Sequence, residues 1–355
     1  MLDRIKQVYR VLHEVRYFKR IIKTHAQSLF PGRYYLYPSL RAIALNRPDC
    51  RQRADAYFVK NTQPGKLVQM MSRLNETNYY CNRQDSQSEK YEAVYSANNY
   101  DKIREIKLFS FTRKEILTVC TCEEDRQKQL AEYEKLHAYF KMPRLERQNL
   151  YAHSYKIAMV ELLDRPREQL ALKAITDCTG AYHVAHSAEG KTASVRDITA
   201  LSYEKQACND LLAKLVEEIA PDLLDMGFPL CFQHGDLSRD NLIYGICEGT
   251  EDFWWIDWEH ARARLFFYDY FFYILNTAVY FQDTTALRAY LDGDCDGDLQ
   301  VFFAAFGMVY KPEYRKSYFL LFAIAFLKER VCDKGNLDAL NMYCDFINKM
   351  VLDKE

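Results

Sequence analysis

The order in which hydrophobic periods follow one another constrains this chain most. From Lys90 onward, Tyr91–Ser96, Arg104–Phe111 and Glu115–Thr121 alternate as short strands, the last two separated by the turn-like Thr112-Arg113-Lys114. A charged helix is predicted from about Glu123 to Phe140, stopping before Pro143, and another apolar strand over Tyr155–Leu163. Beyond Asp164 the period is helical over 196–219, 266–281, 298–309 and 315–331. Only two short strand-like pieces, Leu242–Ile246 and Phe253–Ile256, interrupt it. The expected fold class is α+β, with a small sheet-rich lobe followed by a larger helical lobe.

Upstream, residues 1–25 carry Ile5, Val8, Leu12, Val15 and Ile22 at helical spacing, with seven basic residues among them against Asp3 and Glu14. A basic amphipathic helix of this kind either docks its apolar stripe on the protein or lies on an anionic membrane surface. Residues 26–75 are punctuated by Pro31-Gly32, Pro38, Pro48 and Pro64-Gly65 and show no motif. The polar stretch from Asn75 to Glu89 is expected to be a linker or long loop.

Composition excludes several classes. Over 355 residues the formal net charge is −1, so nothing points to a nucleic-acid partner. Eleven cysteines are scattered, and the only close pair, Cys120-x-Cys122, has no partner pair to make a zinc site. Reduced thiols and a cytoplasmic location, with or without peripheral contact at the inner membrane surface, are the expectation. The most apolar run, Leu265 to Phe281, is interrupted by Asp269 and Asn276 and is expected to be a buried helix. Gly190-Lys191-Thr192 lacks the first glycine of a phosphate loop, because position 185 is Ala185. The acidic run Asp292–Asp298 lacks the carboxylate an EF-hand needs at its twelfth position, which is Phe303.

The chemistry lies in Cys231-Phe232-Gln233-His234-Gly235-Asp236-Leu237-Ser238-Arg239-Asp240-Asn241-Leu242 and in Trp254-Trp255-Ile256-Asp257-Trp258-Glu259. An aspartate and an asparagine five residues apart sit on a loop with apolar anchors on both sides, and a second aspartate ends a short apolar strand. Phosphoryl transfer needs a carboxylate to orient and deprotonate the attacking hydroxyl, and oxygen ligands for magnesium. Magnesium takes few protein ligands and keeps several waters, so two side chains suffice.

These segments resemble the catalytic and metal-binding segments of the aminoglycoside phosphotransferase/choline kinase family, and the resemblance covers about residues 90–280. It implies a two-lobed protein-kinase-like fold, with residues 1–88 an N-terminal extension, 89–163 the small lobe and hinge, and 164–355 the helical lobe. It implies Asp236 as catalytic base, Asn241 and Asp257 as metal ligands, and His234 and Asp269 in support. ATP and Mg2+ would be required, and the acceptor would be a hydroxyl of a small molecule, sugar or glycoconjugate. Protein kinases have Arg where this chain has Gly235, and Phe-Gly where it has Trp258-Glu259, which favours a small-molecule or sugar acceptor.

Further upstream, Glu132 resembles the helix glutamate that pairs with a nucleotide-binding lysine, with Glu134 as competitor. Ala158–Leu162 resembles the inter-lobe segment whose backbone, at Val160 and Leu162, would hydrogen-bond adenine. The chain departs from the family at Thr118, which stands where the third strand carries lysine. Lys107 on the preceding strand is the best substitute, ahead of Lys114. The nucleotide loop near Ser96–Tyr100 also lacks glycine. These departures motivate the alternative of a nucleotide-binding pseudokinase, or an adaptor on a kinase scaffold.

Overall fold

The computed structural model describes residues 23, 26–37, 42–58, 79–81, 90–99, 102–120, 122–148, 153–186, 191–199, 206–332 and 337–349. The helix expected over residues 1–25 therefore lies outside the described residues, Lys23 apart. The chain divides into two compact units. One comprises Met1–Leu136, Met142–Leu163 and Gly245–Asp252; the other comprises His137–Lys141, Asp164–Tyr244 and Phe253–Glu355.

The first unit is built on strands β1 (Gly32–Tyr37), β2 (Ala42–Leu45), β3 (Tyr79–Cys81), β4 (Ala93–Asn99), β5 (Lys102–Ser110), β6 (Glu115–Cys120), β7 (Leu145–Gln148) and β8 (Ser154–Ala158). They form one antiparallel sheet in the order β3-β1-β2-β4-β5-β6-β8-β7. β4 to β6 occupy the three stretches whose alternation predicts strands. The stretch Tyr155–Leu163 instead divides into β8 and a short β9 (Glu161–Leu162), and β7 has no counterpart in the sequence reading. Residues 26–75, which show no motif, supply β1, β2 and helix α1 (Pro48–Phe58), and Tyr79–Cys81 pairs with β1 inside the stretch read as a loop.

Helix α1 stays on the sheet through aromatic packing. Phe58 meets Phe109 edge-on at 5.1 Å and stacks on Tyr95 at 6.0 Å. Arg53 donates to the Phe111 carbonyl at 2.6 Å. Helix α2 (Glu123–Leu136) stops short of the expected Phe140, whose ring packs instead on Trp255 and Trp258. At the tip of the hairpin formed by β12 (Leu242–Cys247) and β13 (Thr250–Trp255), Glu248 and Gly249 both have positive φ, +50° and +82°. That is the two-residue turn whose twist suits a hairpin.

The second unit is mainly helical: α3 (Glu168–His186), α4 (Val195–Thr199), α5 (Gln206–Glu217), α6 (Tyr268–Phe281), α7 (Thr285–Asp292), α8 (Asp296–Ala305), α9 (Arg315–Cys332) and α10 (Leu337–Ile347). A small antiparallel sheet runs β10 (Thr192–Ser194), β11 (Gly227–Gln233), β14 (Arg262–Leu265). The expected helix over 196–219 is represented by α4 and α5. Helix α6 is apolar on every face apart from Asp269 and Asn276, whose side chains are hydrogen-bonded, and every residue from Tyr268 to Val279 is buried. No helix among the described residues is long and apolar enough to cross a membrane.

Many of the second unit's phenylalanines and tyrosines pack around α6. Phe271 lies 5.0 Å from Tyr290, 5.7 Å from Phe319 and 5.8 Å from Phe322, and is 1 % exposed. Phe271→Ala should lower the unfolding free energy by about 3–5 kcal/mol, the usual cost of emptying a buried aromatic site. Urea denaturation of the variant and parent measures it.

Candidate active site

β11 delivers the His234-Gly235-Asp236 turn and α6 begins beside it. Asp269, in the first turn of α6, accepts the His234 amide on Oδ2 at 2.6 Å and the Gly235 amide on Oδ1 at 2.8 Å. In return the Asp269 amide donates to Gln233 Oε1 at 3.0 Å. Strand end and helix start are thus tied in both directions. Burial pushes the Asp269 carboxyl up to about 6, against the pull of the two amides and of Arg264.

The turn needs glycine at its centre. Gly235 has φ +83°, and a Cβ there would collide with the guanidinium of Arg264. That guanidinium cannot easily move. It is held by Glu329 through Nε at 2.9 Å and Nη2 at 2.6 Å, donates to the His260 carbonyl at 2.9 Å, and lies over the Tyr268 ring. Arg264 and Glu329 carry no signal in the sequence, since 65 residues separate them.

His234 is fully buried and neutral by its partners. Nε2 donates to the Ile256 carbonyl at 2.7 Å, while Nδ1 accepts the Asp236 amide at 3.3 Å. Burial pushes its pKa down to about 4. Its ring packs 4.7 Å from Trp258, which stacks on Trp255 and meets Phe140 at 4.8 Å. This aromatic floor lies under the loop.

Asn241 joins the rest. Its Nδ2 donates to the Asp236 carbonyl at 2.7 Å and reaches Asp236 Oδ2 at 3.4 Å. Its backbone carbonyl accepts the Ile256 amide at 3.0 Å, which sets Asp257 beside it in the next residue. The amides of Asn241 and Leu242 both turn back to the Ser238 carbonyl, at 3.0 and 2.9 Å. Asp257 is exposed and has φ +64°, a conformation few residues other than glycine adopt. The structure therefore brings His234, Asp236, Asn241, Asp257 and Asp269 together in one unit.

Among the described residues no three His, Cys, Asp or Glu side chains converge on a metal position. The pair Asn241 and Asp257 nevertheless fits magnesium. The Asn241 nitrogen is committed to Asp236, which leaves Oδ1 as a donor, and the Asp257 carboxylate is exposed. Two hard oxygens, completed by phosphate and water, make the usual magnesium set.

The remaining expected residues lie in the first unit. Lys107 stands directly opposite Thr118 in the β5–β6 register, and its ammonium pairs with Glu105 at 2.8 Å. Thr118 is buried. Glu132 faces inward, with a side chain 15 % exposed and 3.8 Å from Lys128, whereas Glu134 is exposed. Lys114 pairs with Glu161. The Val160 carbonyl accepts the Tyr57 hydroxyl, and Leu162 pairs with Gly245 of β12.

The sequence model of the phosphotransferase enzyme family matches residues 124–302. No curated protein sequence matches the chain. Among solved structures, the choline kinase LicA from Streptococcus pneumoniae is similar at 13 % identity, over 73 % of this chain and 93 % of that one, with a TM-score of 0.43. The GDP complex of aminoglycoside 2'-phosphotransferase-IIIa is similar at 12 % identity over 82 % and 98 %, with a TM-score of 0.41. Spectinomycin phosphotransferase in complex with ADP and spectinomycin is similar at 12 % identity over 74 % and 90 %, with a TM-score of 0.36.

The His234 environment sets a pH dependence. The unfolded imidazole takes up a proton near 6.5 and the folded one only near 4. The stability His234 confers is thus fully present above pH 6.5 and is lost as the pH falls towards 4. The stability advantage of the parent over His234→Gln, measured by denaturation across that range, should shrink by about 2–4 kcal/mol.

Proposed function

Because this chain belongs to the phosphotransferase enzyme family, we propose that it transfers the γ-phosphoryl group of ATP to a hydroxyl of a small molecule, sugar or glycoconjugate. The observation that carries the reading is the double tie of Asn241, through its side chain to Asp236 and through its carbonyl to Ile256. It supports reading Asp236 as the carboxylate base beside Asn241, with Asp257, on the segment that follows β13, as the second metal ligand.

In this reading Asp236 accepts the proton of the acceptor hydroxyl. The freed oxygen attacks the γ-phosphorus, the bond to the β-phosphate oxygen breaks, and ADP leaves. Asn241 also holds Asp236 in place, and neutral His234 fixes the turn through Ile256. Magnesium, held by Asn241 and Asp257, would neutralise charge on the phosphates. Lys107, steadied by Glu132, is proposed to supply the cation missing at Thr118, and the backbone of Val160 and Leu162 to meet adenine. The basic residues 1–25 are proposed to contact anionic membrane. The buried Thr118 favours a second reading, a nucleotide-binding pseudokinase.

An ATP-consumption screen against amino alcohols, sugars and aminoglycosides tests the reading. With an acceptor found, Asp236→Asn should lower turnover by about two to four orders of magnitude, the scale of a general base. Retention of ATP binding with no turnover on any acceptor would favour the pseudokinase. Asp257→Ala should remove the magnesium-dependent part of ATP binding, read by calorimetry with and without magnesium. Equal magnesium dependence in variant and parent would take Asp257 out of the site.

A further inference from the structure

The loop that carries Asn241 is held from behind by groups outside the site described above. Arg165 precedes α3, and its Nη1 donates to the backbone carbonyls of Arg239 at 3.3 Å and Leu242 at 2.9 Å. Those two carbonyls bracket Asn241. Nη2 donates to the Tyr273 hydroxyl at 2.5 Å, and that hydroxyl donates to Glu168. Glu168 in turn lies 3.4 Å from Arg165 Nε and 2.8 Å from Arg239 Nη2. Arg239 also pairs with Asp283 and covers the Phe281 ring at 4.9 Å. Two arginines thus face two carboxylates, and none of the four needs an outside counter-ion.

The chemistry of this cluster is that of a splint. A carbonyl accepting from a guanidinium fixes its peptide plane, and the rigid fork of arginine holds two such planes at once. Glu168 and Tyr273, on α3 and α6, fix the fork itself. On its other side the Asn241 carbonyl is held by the Ile256 amide. The backbone of Asn241 is therefore gripped from two directions, while its side chain is turned to Asp236. The side chains of Glu168 and Arg239 are only 11 % and 17 % exposed, so water screens these contacts poorly.

We propose that Arg165, braced by Glu168 and Tyr273, is a positioning residue that sets Asn241 for metal binding; this rests on the reading of Asn241 as a magnesium ligand. Lysine cannot replace it, because one ammonium cannot hold both carbonyls and the tyrosine in the same geometry.

The test uses the full chain as Arg165→Lys, with Arg196→Ala, at an exposed surface pair with Asp225, as control. The amides of Asn241 and Leu242 both bond to the Ser238 carbonyl, so their hydrogen exchange reports opening of the loop. Exchange at these two amides should be about tenfold faster in Arg165→Lys, with α6 unchanged, as expected for loss of charge-assisted hydrogen bonds. The magnesium concentration for half-maximal turnover should rise about tenfold, the scale for removing a support behind a metal ligand, while KM for the acceptor stays put. Unchanged exchange in the loop, exchange raised equally across α6, or unchanged magnesium dependence in an active variant would each overturn the proposal. An inactive parent would count against the proposed function alone, and the exchange arm would still decide whether Arg165 holds Asn241.

Discussion

The Asp269 carboxylate, buried at the start of α6, takes both amides of the His234-Gly235 turn, and the geometry of the candidate site follows from that. A buried carboxylate without donors would cost several kcal/mol and would protonate instead. Two amides and the neighbouring Arg264 supply the compensation, and the helix start adds a favourable dipole. The arrangement is mutual. The turn amides would otherwise be buried without acceptors, an error folded proteins rarely tolerate. From this tie the direction of Asp236 is set, then Asn241 through Asp236, then Asp257 through Asn241 and Ile256. Each step is a hydrogen bond with a main-chain group at one end at least, so the backbone path fixes where these side chains stand.

What was legible in the sequence was local. Alternation in 91–121 announces β4 to β6, and the apolar run from Leu265, broken by Asp269 and Asn276, marks α6 as enclosed. His234, Asp236, Asn241, Asp257 and Asp269 are legible because two short segments carry most of them. What was not legible depends on distance. β11 hides because Pro229 and Gly227 dilute its strand pattern, although pairing with β10 and β14 makes it a strand. β1 is short and aromatic and β2 shorter and aliphatic; β2 is a strand because β4 offers an edge to pair with, and β1 pairs with β2 in turn. Helix α2 ends at Leu136 where periodicity alone would carry it to Phe140, because Phe140 is used instead to pack Trp255 and Trp258. Arg264 with Glu329, and Arg165 with Tyr273, join residues 65 and 108 positions apart. No local period encodes such a pair.

The departure at Thr118 becomes intelligible in the β5–β6 register. Lys107 and Thr118 are direct cross-strand partners, and residues so placed have Cβ atoms about 5 Å apart on one face of the sheet. A lysine side chain spans that offset easily. In the proposed phosphotransferase reading, a cation moved from one strand to the facing position on its neighbour would stay on the same face, displaced sideways and not lost. Threonine at position 118 is well suited to a buried strand slot, being β-branched and able to satisfy its hydroxyl. The ion pair with Glu105 along the same strand orients the ammonium on the face it shares with Thr118.

Asp257 shows why the short segment around it has the composition it does. Its φ of +64° is costly for most residues, by about 1 kcal/mol or more, yet aspartate is among the few that tolerate it. Glycine would relieve the strain and lose the carboxylate. The conformation survives because both flanks are over-determined. Ile256 is tied through its amide to Asn241 and through its carbonyl to His234. Trp258 is clamped between Phe140, Trp255 and His234. With the residues before and after it fixed, the chain must turn at position 257, and the strained residue is left exposed. The aromatic floor and the neutral histidine therefore act on one residue they do not themselves bond, holding in place a conformation that the isolated segment would abandon.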